Sequence, residues 1–188
     1  MIELYAITNT PAPRGAGLRA IERDGLAAIC SPADDQQKVS AEELWRREEV
    51  LESLMHECDL LPVRYGTVVS DDDEAEQLLA DRHPELLQAL ERVRGAVELA
   101  VRVAGDDRAV PRDAGAYIRV KTRLLEMHET LSTLARESRQ LAPGRGAYLV
   151  RREDVAAFVT RVAALEEANE DLSLLCTGPW PPYSFVGP

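Results

Sequence analysis

The feature that most constrains the fold is a strict alternation of residue types directly after Gly95. Every second residue of this run is a large aliphatic one: Val97, Leu99, Val101 and Val103. Side chains two apart share one face of a strand, so this period predicts a strand with one buried face. We interpret Gly95 as the start of a second domain, which predicts an N-terminal domain at 1–94 and a C-terminal domain at 95–188.

The rest of the second half alternates between helix and strand patterns. Apolar residues three and four apart, from Tyr117 to Leu134, predict a long helix that continues towards Pro143-Gly144 and Gly146. A second helix is predicted over 154–168, while 147–151 and 172–177 are typical of strands. We interpret Pro143-Gly144 as the end of the first helix. The order β-α-β-α-β is one strand short of the ferredoxin-like β-α-β-β-α-β arrangement. We therefore predict a modified ferredoxin-like domain, or a further strand within 105–115.

The first half predicts the order β-β-β-α-β-α. Strands are indicated at 2–7, at 18–23 and 26–30 around an Asp24-Gly25 hairpin turn, and at 61–69, with a loop at 8–17 and a polar connection at 32–38. Helices are predicted to begin at Ser40 and Ser70 through capping boxes with Glu43 and Asp73, and another follows Pro84. The fold class is α+β, with helices packed on mixed or antiparallel sheets.

The helix after Ser40 has a predicted apolar face and a predicted charged face. Leu44, Trp45, Leu51 and Leu54 are assigned to the apolar side, and Arg47 is assigned to the solvent side with the glutamates. This pattern predicts a helix that covers a sheet.

The charge of the chain excludes some classes of partner. With 33 acidic and 22 basic residues the formal net charge is −11, which argues against nucleic acid and anionic membrane surfaces as partners. Cys30, Cys58 and Cys176 form no CxxC pair and are typical of buried thiols in a reducing compartment. We find no signal peptide and no membrane-spanning run, so a cytoplasmic protein is expected.

No pattern of catalytic or metal-ligating residues is present. His56, His83 and His128 have no neighbours at metal spacing, and His128 lies on an apolar stripe where a structural histidine is more common than a base. No cofactor or metal is expected, and the chain is predicted not to be an enzyme. A small-molecule enzyme on a ferredoxin-like fold stays open as an alternative.

The last stretch of the chain, 178–186, is apolar and aromatic in an otherwise highly charged protein. Its candidate residues for binding a partner or sealing the domains are Gly178, Trp180, Pro181, Pro182, Tyr183 and Phe185. Aromatic side chains bury large areas and prolines favour a stiff extended segment, so this terminal run is expected to dock. Packing on its own chain and anchoring to a partner both remain open.

A second candidate segment is Arg64-Tyr65-Gly66, within the strand predicted at 61–69. Buried between domains, Arg64 would need a carboxylate partner, whereas exposed it would be an ordinary surface charge. Gly66 is compatible with a bulge, a close backbone approach or a simple strand irregularity. The sequence does not decide between these alternatives.

Several of these stretches together resemble the gas vesicle protein GvpF/GvpL family. The similar stretches are the terminal run, Leu61-Pro62-Val63-Arg64-Tyr65-Gly66-Thr67-Val68, Ala147-Tyr148-Leu149-Val150 and Leu4-Tyr5-Ala6-Ile7. The resemblance implies two α+β domains and an accessory role in gas vesicle assembly, at the gas vesicle, through contact with the small hydrophobic shell protein (GvpA-type). It also marks the six residues named in the terminal run as signature positions. The alternative is a scaffold that bridges other gas vesicle accessory proteins.

Overall fold

The computed structural model describes residues 1–12, 18–33, 40–104 and 113–186, and its chain forms two compact units. The first unit comprises Met1–Arg94 together with Pro181–Pro188, and the second comprises Gly95–Trp180. The last eight residues thus group with the first unit. The domain assignment at 1–94 and 95–188 stays a prediction.

The first unit is an antiparallel sheet with three helices. Its elements are β1 (Ile2–Asn9), β2 (Arg19–Arg23), β3 (Leu26–Pro32), α1 (Ala41–Glu57), β4 (Leu60–Pro62), β5 (Val68–Val69), α2 (Asp72–Asp81) and α3 (His83–Val93). Strand β1 is central and pairs with β3, β4 and β5, while β2 pairs with β3. The predicted hairpin turn is confirmed, since both Asp24 and Gly25 have positive φ angles, 49° and 84°.

A bulge in β1 determines which side chains share a face. The pairing of β1 with β3 shifts register between Leu4 and Ala6, so Tyr5 is the additional residue. Leu4 and Ile7 consequently lie on the same side of the sheet although they are three residues apart. The Tyr5 ring instead meets the guanidinium of Arg47 from α1.

Two predictions for the first unit are wrong in detail. The strand predicted at 61–69 is two short strands, β4 and β5, with a turn between them. The cap of α2 is Asp71, which accepts a hydrogen bond from the Glu74 amide at 3.0 Å. The capping residue therefore lies one position after the predicted Ser70, and its side chain is a carboxylate. The Glu74 carboxylate accepts hydrogen bonds from the amide and the hydroxyl of Ser70, both at 2.6 Å. Ser40, in contrast, caps α1 as predicted.

The second unit has all the strands of a ferredoxin-like fold. Its elements are β6 (Ala96–Ala104), α4 (Ala114–Ser132), β7 (Glu137–Ala142), β8 (Arg145–Arg151), α5 (Val155–Glu167) and β9 (Ser173–Trp180). The sheet is antiparallel in the order β7-β8-β6-β9. Leu99, Tyr148 and Phe158 are among the residues of its buried core. The sequence-based expectation of a modified unit, one strand short, is therefore corrected.

The strand missing from the prediction is β7. The helix expected to continue to Pro143-Gly144 ends at Ser132, and residues 137–142 form the edge of the sheet. The other place predicted for the missing strand was 105–115. Residues 105–112 of this range are outside the described residues, and α4 begins at Ala114. Within the described parts of the chain no helix is both long and apolar enough to cross a bilayer.

Candidate functional site

An apolar groove in the first unit is the main candidate site. Its volume is about 540 Å³. It is lined by β1 and β4 on one side and by α2 and α3 on the other, through Leu4, Ile7, Leu61, Leu78, Leu86 and Ala89. Protein interiors leave few voids larger than a water molecule, whereas ligand sites commonly have several hundred Å³. A groove of this size and lining is suited to receiving apolar groups.

The rim of the groove carries more positive than negative charge. Three arginines and one glutamate border it: Arg64, Arg82, Arg92 and Glu85. Arg82 and Glu85 pair with each other, with 3.1 Å between Nε and Oε2, so they offset one another. The groove is therefore locally cationic on a chain whose formal net charge is −11.

The Arg64-Tyr65-Gly66 segment forms the turn between β4 and β5 and borders this groove. The Arg64 carbonyl accepts hydrogen bonds from the Thr67 amide at 3.2 Å and from the Thr67 hydroxyl at 2.8 Å. Gly66 has a φ of 77°, and nothing lies within 4 Å of the position of a Cβ, so a left-handed turn explains this glycine. Arg64 is exposed, which decides between its two alternatives in favour of the surface position.

The residue that sequence reasoning missed is Arg47. Only 4% of it is exposed, and its guanidinium donates to Glu3 Oε1 at 2.9 Å and to the carbonyls of Leu4 and Val63, each at 2.8 Å. The prediction that Arg47 faces solvent is wrong. A signal was available, because Arg47 precedes Leu51 by four residues and Leu54 by seven, which places it on the apolar stripe.

Two tyrosine rings complete the surroundings of Arg47. Its guanidinium carbon lies 4.4 Å from the centroid of Tyr5 and 5.6 Å from that of Tyr65. Tyr65 also donates its hydroxyl hydrogen to Glu43 at 3.4 Å. Burial is the main cause that raises the pKa of the Tyr65 phenol, and the negative charge of Glu43 is the second. The phenol therefore stays neutral. This Arg47 cluster links α1, β1 and the turn that borders the groove.

Another correction concerns the start of α1. Trp45 was predicted on the buried face but is 69% exposed, and Leu44 is exposed as well. Buried residues of the helix are Arg47, Leu51, Leu54 and Met55. The buried stripe is therefore displaced from Trp45, and the cation of Arg47 takes a place expected for an apolar side chain.

The terminal run begins in the second unit and ends in the first. Gly178 lies in β9 with a φ of 117°, and a Cβ there would come within 2.7 Å of the Glu98 carbonyl oxygen. Only glycine fits this position without a shift of the backbone. Trp180 pairs with Glu98 across the sheet and donates its indole hydrogen to Thr177 Oγ1 at 3.3 Å.

The remaining candidate residues of the terminal run belong to the first unit. Pro181, Pro182 and Phe185 are buried, and Phe185 has 0% exposure. Tyr183 is 39% exposed and donates to Glu48 Oε1 at 2.8 Å. Val186, directly after Phe185, lines the groove that Arg64 borders. The structure thus brings the end of the terminal run and the Arg64 turn to one site, and their role in partner binding stays a prediction.

A hydrogen-bonded pair of ionisable side chains lies elsewhere, in the second unit. His128 Nδ1 is 2.7 Å from the Tyr148 hydroxyl oxygen. Burial lowers the pKa of His128 and raises that of Tyr148. The adjoining cavity has a volume of about 20 Å³, room for about one water molecule, so this pair has no space for a substrate. Among the described residues no three His, Cys, Asp or Glu side chains are grouped to hold a metal ion.

Comparison with known proteins gives relatives over nearly the whole chain. The family model described as gas vesicle synthesis protein GvpL/GvpF matches residues 3–120 and 114–187. Gas vesicle protein F of Streptomyces sp. (strain CB03234) is 26% identical over 223 residues, covering 98% of this chain and 92% of its own length. Gas vesicle protein L of the same strain is 30% identical and aligns with 68% of this chain and 62% of its own length.

Solved structures have the same fold. The crystal structure of GvpF from Microcystis aeruginosa matches with a TM-score of 0.84 at 21% identity, over 99% of this chain and 98% of its own. GvpF from Anabaena sp. PCC7120 also has a TM-score of 0.84, at 22% identity and over 99% and 95% of the two chains. These likenesses confirm the α+β fold class. Since the family model covers almost every residue, the chain belongs to the GvpF/GvpL family, which is involved in gas vesicle formation.

Proposed function

We propose that this chain is an accessory protein that binds the hydrophobic shell subunit of the gas vesicle and assists its incorporation into the wall. The observation that carries the proposal is the open apolar groove of the first unit, about 540 Å³ in volume. Burial of apolar side chains is the main source of affinity between proteins, and a groove of this kind offers it.

The charge of the chain supports the same role. A hydrophobic subunit that is bound by a strongly acidic protein gains the charge of its carrier, and like-charged complexes repel one another. The formal net charge of −11 thus favours a complex that stays dispersed while the subunit waits for incorporation. The apolar groove supplies affinity, and the acidic surface limits aggregation of the complex.

The test is co-expression with the shell subunit, followed by affinity purification of this chain. Ala89 lines the groove and is half-buried, so Ala89→Trp places a large neutral side chain in it. Leu87 lies on the same helix, is exposed and does not line the groove, which makes Leu87→Trp the matched control. Wild type and Leu87→Trp should retain shell subunit, whereas Ala89→Trp should retain at least about tenfold less, the effect of blocking a central contact.

Folding of each variant is checked by circular dichroism and by its melting temperature. Equal retention of shell subunit by folded Ala89→Trp and wild type would remove the groove from the proposal. Absence of retention by wild type would overturn shell-subunit binding and leave the bridging of other accessory proteins as the role to test.

A further inference from the structure

We infer that the groove binds an amphipathic segment of its partner protein, whose apolar side chains fill the groove and whose acidic side chain pairs with Arg64. The inference rests on the proposed binding of the shell subunit and adds the chemistry of the segment that is recognised. It follows from the lining of the groove, the charges at its rim and the fixed position of the turn.

The lining requires apolar side chains from the occupant. The walls from β1, β4, α2 and α3 are built mainly of aliphatic side chains, with Leu4, Leu61 and Leu86 among them. A volume of about 540 Å³ accommodates a few large apolar side chains rather than a single one. A segment with apolar residues on one face matches this shape, because neighbouring side chains enter the groove together.

The rim requires a negative charge beside those apolar side chains. Arg82 is already paired with Glu85, and Arg92 Nη1 donates to the Phe185 carbonyl at 3.4 Å. Arg64 is exposed at the groove and is the rim cation that can turn towards an arriving ligand. Because the chain has a formal net charge of −11, most of its surface repels an acidic side chain. The cationic rim attracts that side chain and thereby orients the partner segment at the groove.

The turn that carries Arg64 is held in place before any partner arrives. Arg47 donates to the Val63 carbonyl directly before Arg64, and the Leu4 amide donates to the Thr67 carbonyl at 3.0 Å. Hydrogen bonds on both sides of the turn thus join it to α1 and β1. Little backbone ordering is then needed on binding, which favours affinity.

The binding test uses overlapping synthetic peptides that cover the shell subunit, with affinity measured by fluorescence anisotropy. We expect a peptide with an acidic residue among apolar ones to bind wild type. Changing its acidic residue to the amide should weaken binding about fivefold to tenfold, the range of a well-placed charge pair. Raising the salt concentration should reduce this difference, because the pair lies at an exposed rim.

Variants of this chain assign the effect to the groove. Arg64→Glu should weaken binding of the acidic peptide at least about fivefold. A peptide with lysine in place of the acidic residue should restore binding to this variant. Arg46→Glu changes the net charge equally, at an exposed position of α1 that does not line the groove, and should leave the affinity unchanged. Ala89→Trp should abolish binding of the peptide.

Three results would overturn the inference. They are equal binding of acidic and amide peptides, an equal effect of Arg64→Glu and Arg46→Glu, and competition by palmitate that shows an amphiphilic lipid to be the preferred occupant. Each is separable from the proposed function, because co-expression reports retention of the whole shell subunit. If wild type retains the co-expressed subunit but peptide binding does not depend on the acidic residue, only the inference is contradicted. If wild type does not retain the subunit, the proposed function is contradicted.

Discussion

At the scale of single residues, Arg47 shows how a buried cation can be stabilised. Its guanidinium is surrounded by one carboxylate, main-chain carbonyls and two tyrosine rings. These groups replace the hydration that the guanidinium loses on burial. Arg47 was predicted to face solvent, although its spacing from Leu51 and Leu54 matches the buried stripe. Its carbonyl partners are Leu4, next to the bulge in β1, and Val63, directly after β4. Such backbone positions depend on sheet pairing, which a single sequence does not specify.

We expect Arg47→Met to lower the free energy of unfolding of the first unit by about 3–5 kcal/mol, because it leaves Glu3 as a buried carboxylate without its charge partner. Hydrogen exchange of the β1 amides measures the change in the unit concerned. Arg46→Met, at the exposed neighbouring position, should change it by less than about 0.5 kcal/mol. Equal effects of the two substitutions would show that the ion pair is not what stabilises this site.

We expect His128 to make the second unit less stable in mild acid. Burial lowers its pKa in the folded chain below the usual value of 6.5, so the unfolded chain binds the proton more readily. Stability from this group is complete above pH 6.5 and is lost as the pH falls below it towards the folded pKa. The stability advantage of wild type over His128→Gln should therefore shrink between pH 7.5 and pH 5.5. An NMR titration of the His128 ring with a midpoint at or above 6.5 would contradict this expectation.

At the scale of elements, helices and strands with one clearly buried face could be predicted from the sequence, and edges could not. Strand β6 and helix α5 follow simple periodicities and were predicted close to their observed bounds. Strand β7 lies at the edge of its sheet and has no fully buried residue, so no period-two pattern marks it. Pro143-Gly144, interpreted as a helix end, is the turn of the β7-β8 hairpin.

Strand β9 has a glycine, Gly178, where its backbone comes close to β6. We expect Gly178→Ala to lower the free energy of unfolding of the second unit by about 2–3 kcal/mol, since it combines an unfavourable φ with a contact of 2.7 Å to the Glu98 carbonyl. Gly66→Ala has a similarly unfavourable φ but open space around its Cβ, so about 1 kcal/mol is expected there. Hydrogen exchange in each unit measures the loss of stability that each substitution causes. An equal loss for both would show that the contact with the Glu98 carbonyl is not the cause at Gly178.

At the scale of the whole molecule, the first unit is built from both ends of the chain. Phe185 is fully buried, and Arg92 of α3 donates to its carbonyl. Val186 then contributes to the groove wall. The candidate site is consequently not contained in residues 1–94, although most of its lining is. A pattern-based division at Gly95 could not reveal this, because the return of a chain end is a tertiary contact without a local signal.

Removing residues 181–188 should therefore weaken the first unit more than the second. We expect faster hydrogen exchange for the amides of β1 and α3 and a smaller change for those of β6 and β8, because the removed residues group with the first unit. Tyr183→Phe, which removes the exposed hydrogen bond to Glu48, is the control and should change exchange little. Unchanged β1 exchange in the truncated chain would contradict a stabilising role for the terminal run.

The return of residues 181–186 to the first unit also has a consequence for the order of events during translation. The groove residues of β1, β4, α2 and α3 leave the ribosome early, but Val186 emerges only after the whole ferredoxin-like unit has been made. A nascent chain that stalls before this point has an incomplete groove and lacks the buried Phe185. Completion of the groove is thereby delayed until translation has passed Val186, so we expect nascent chains that stop before this residue to bind the proposed client poorly.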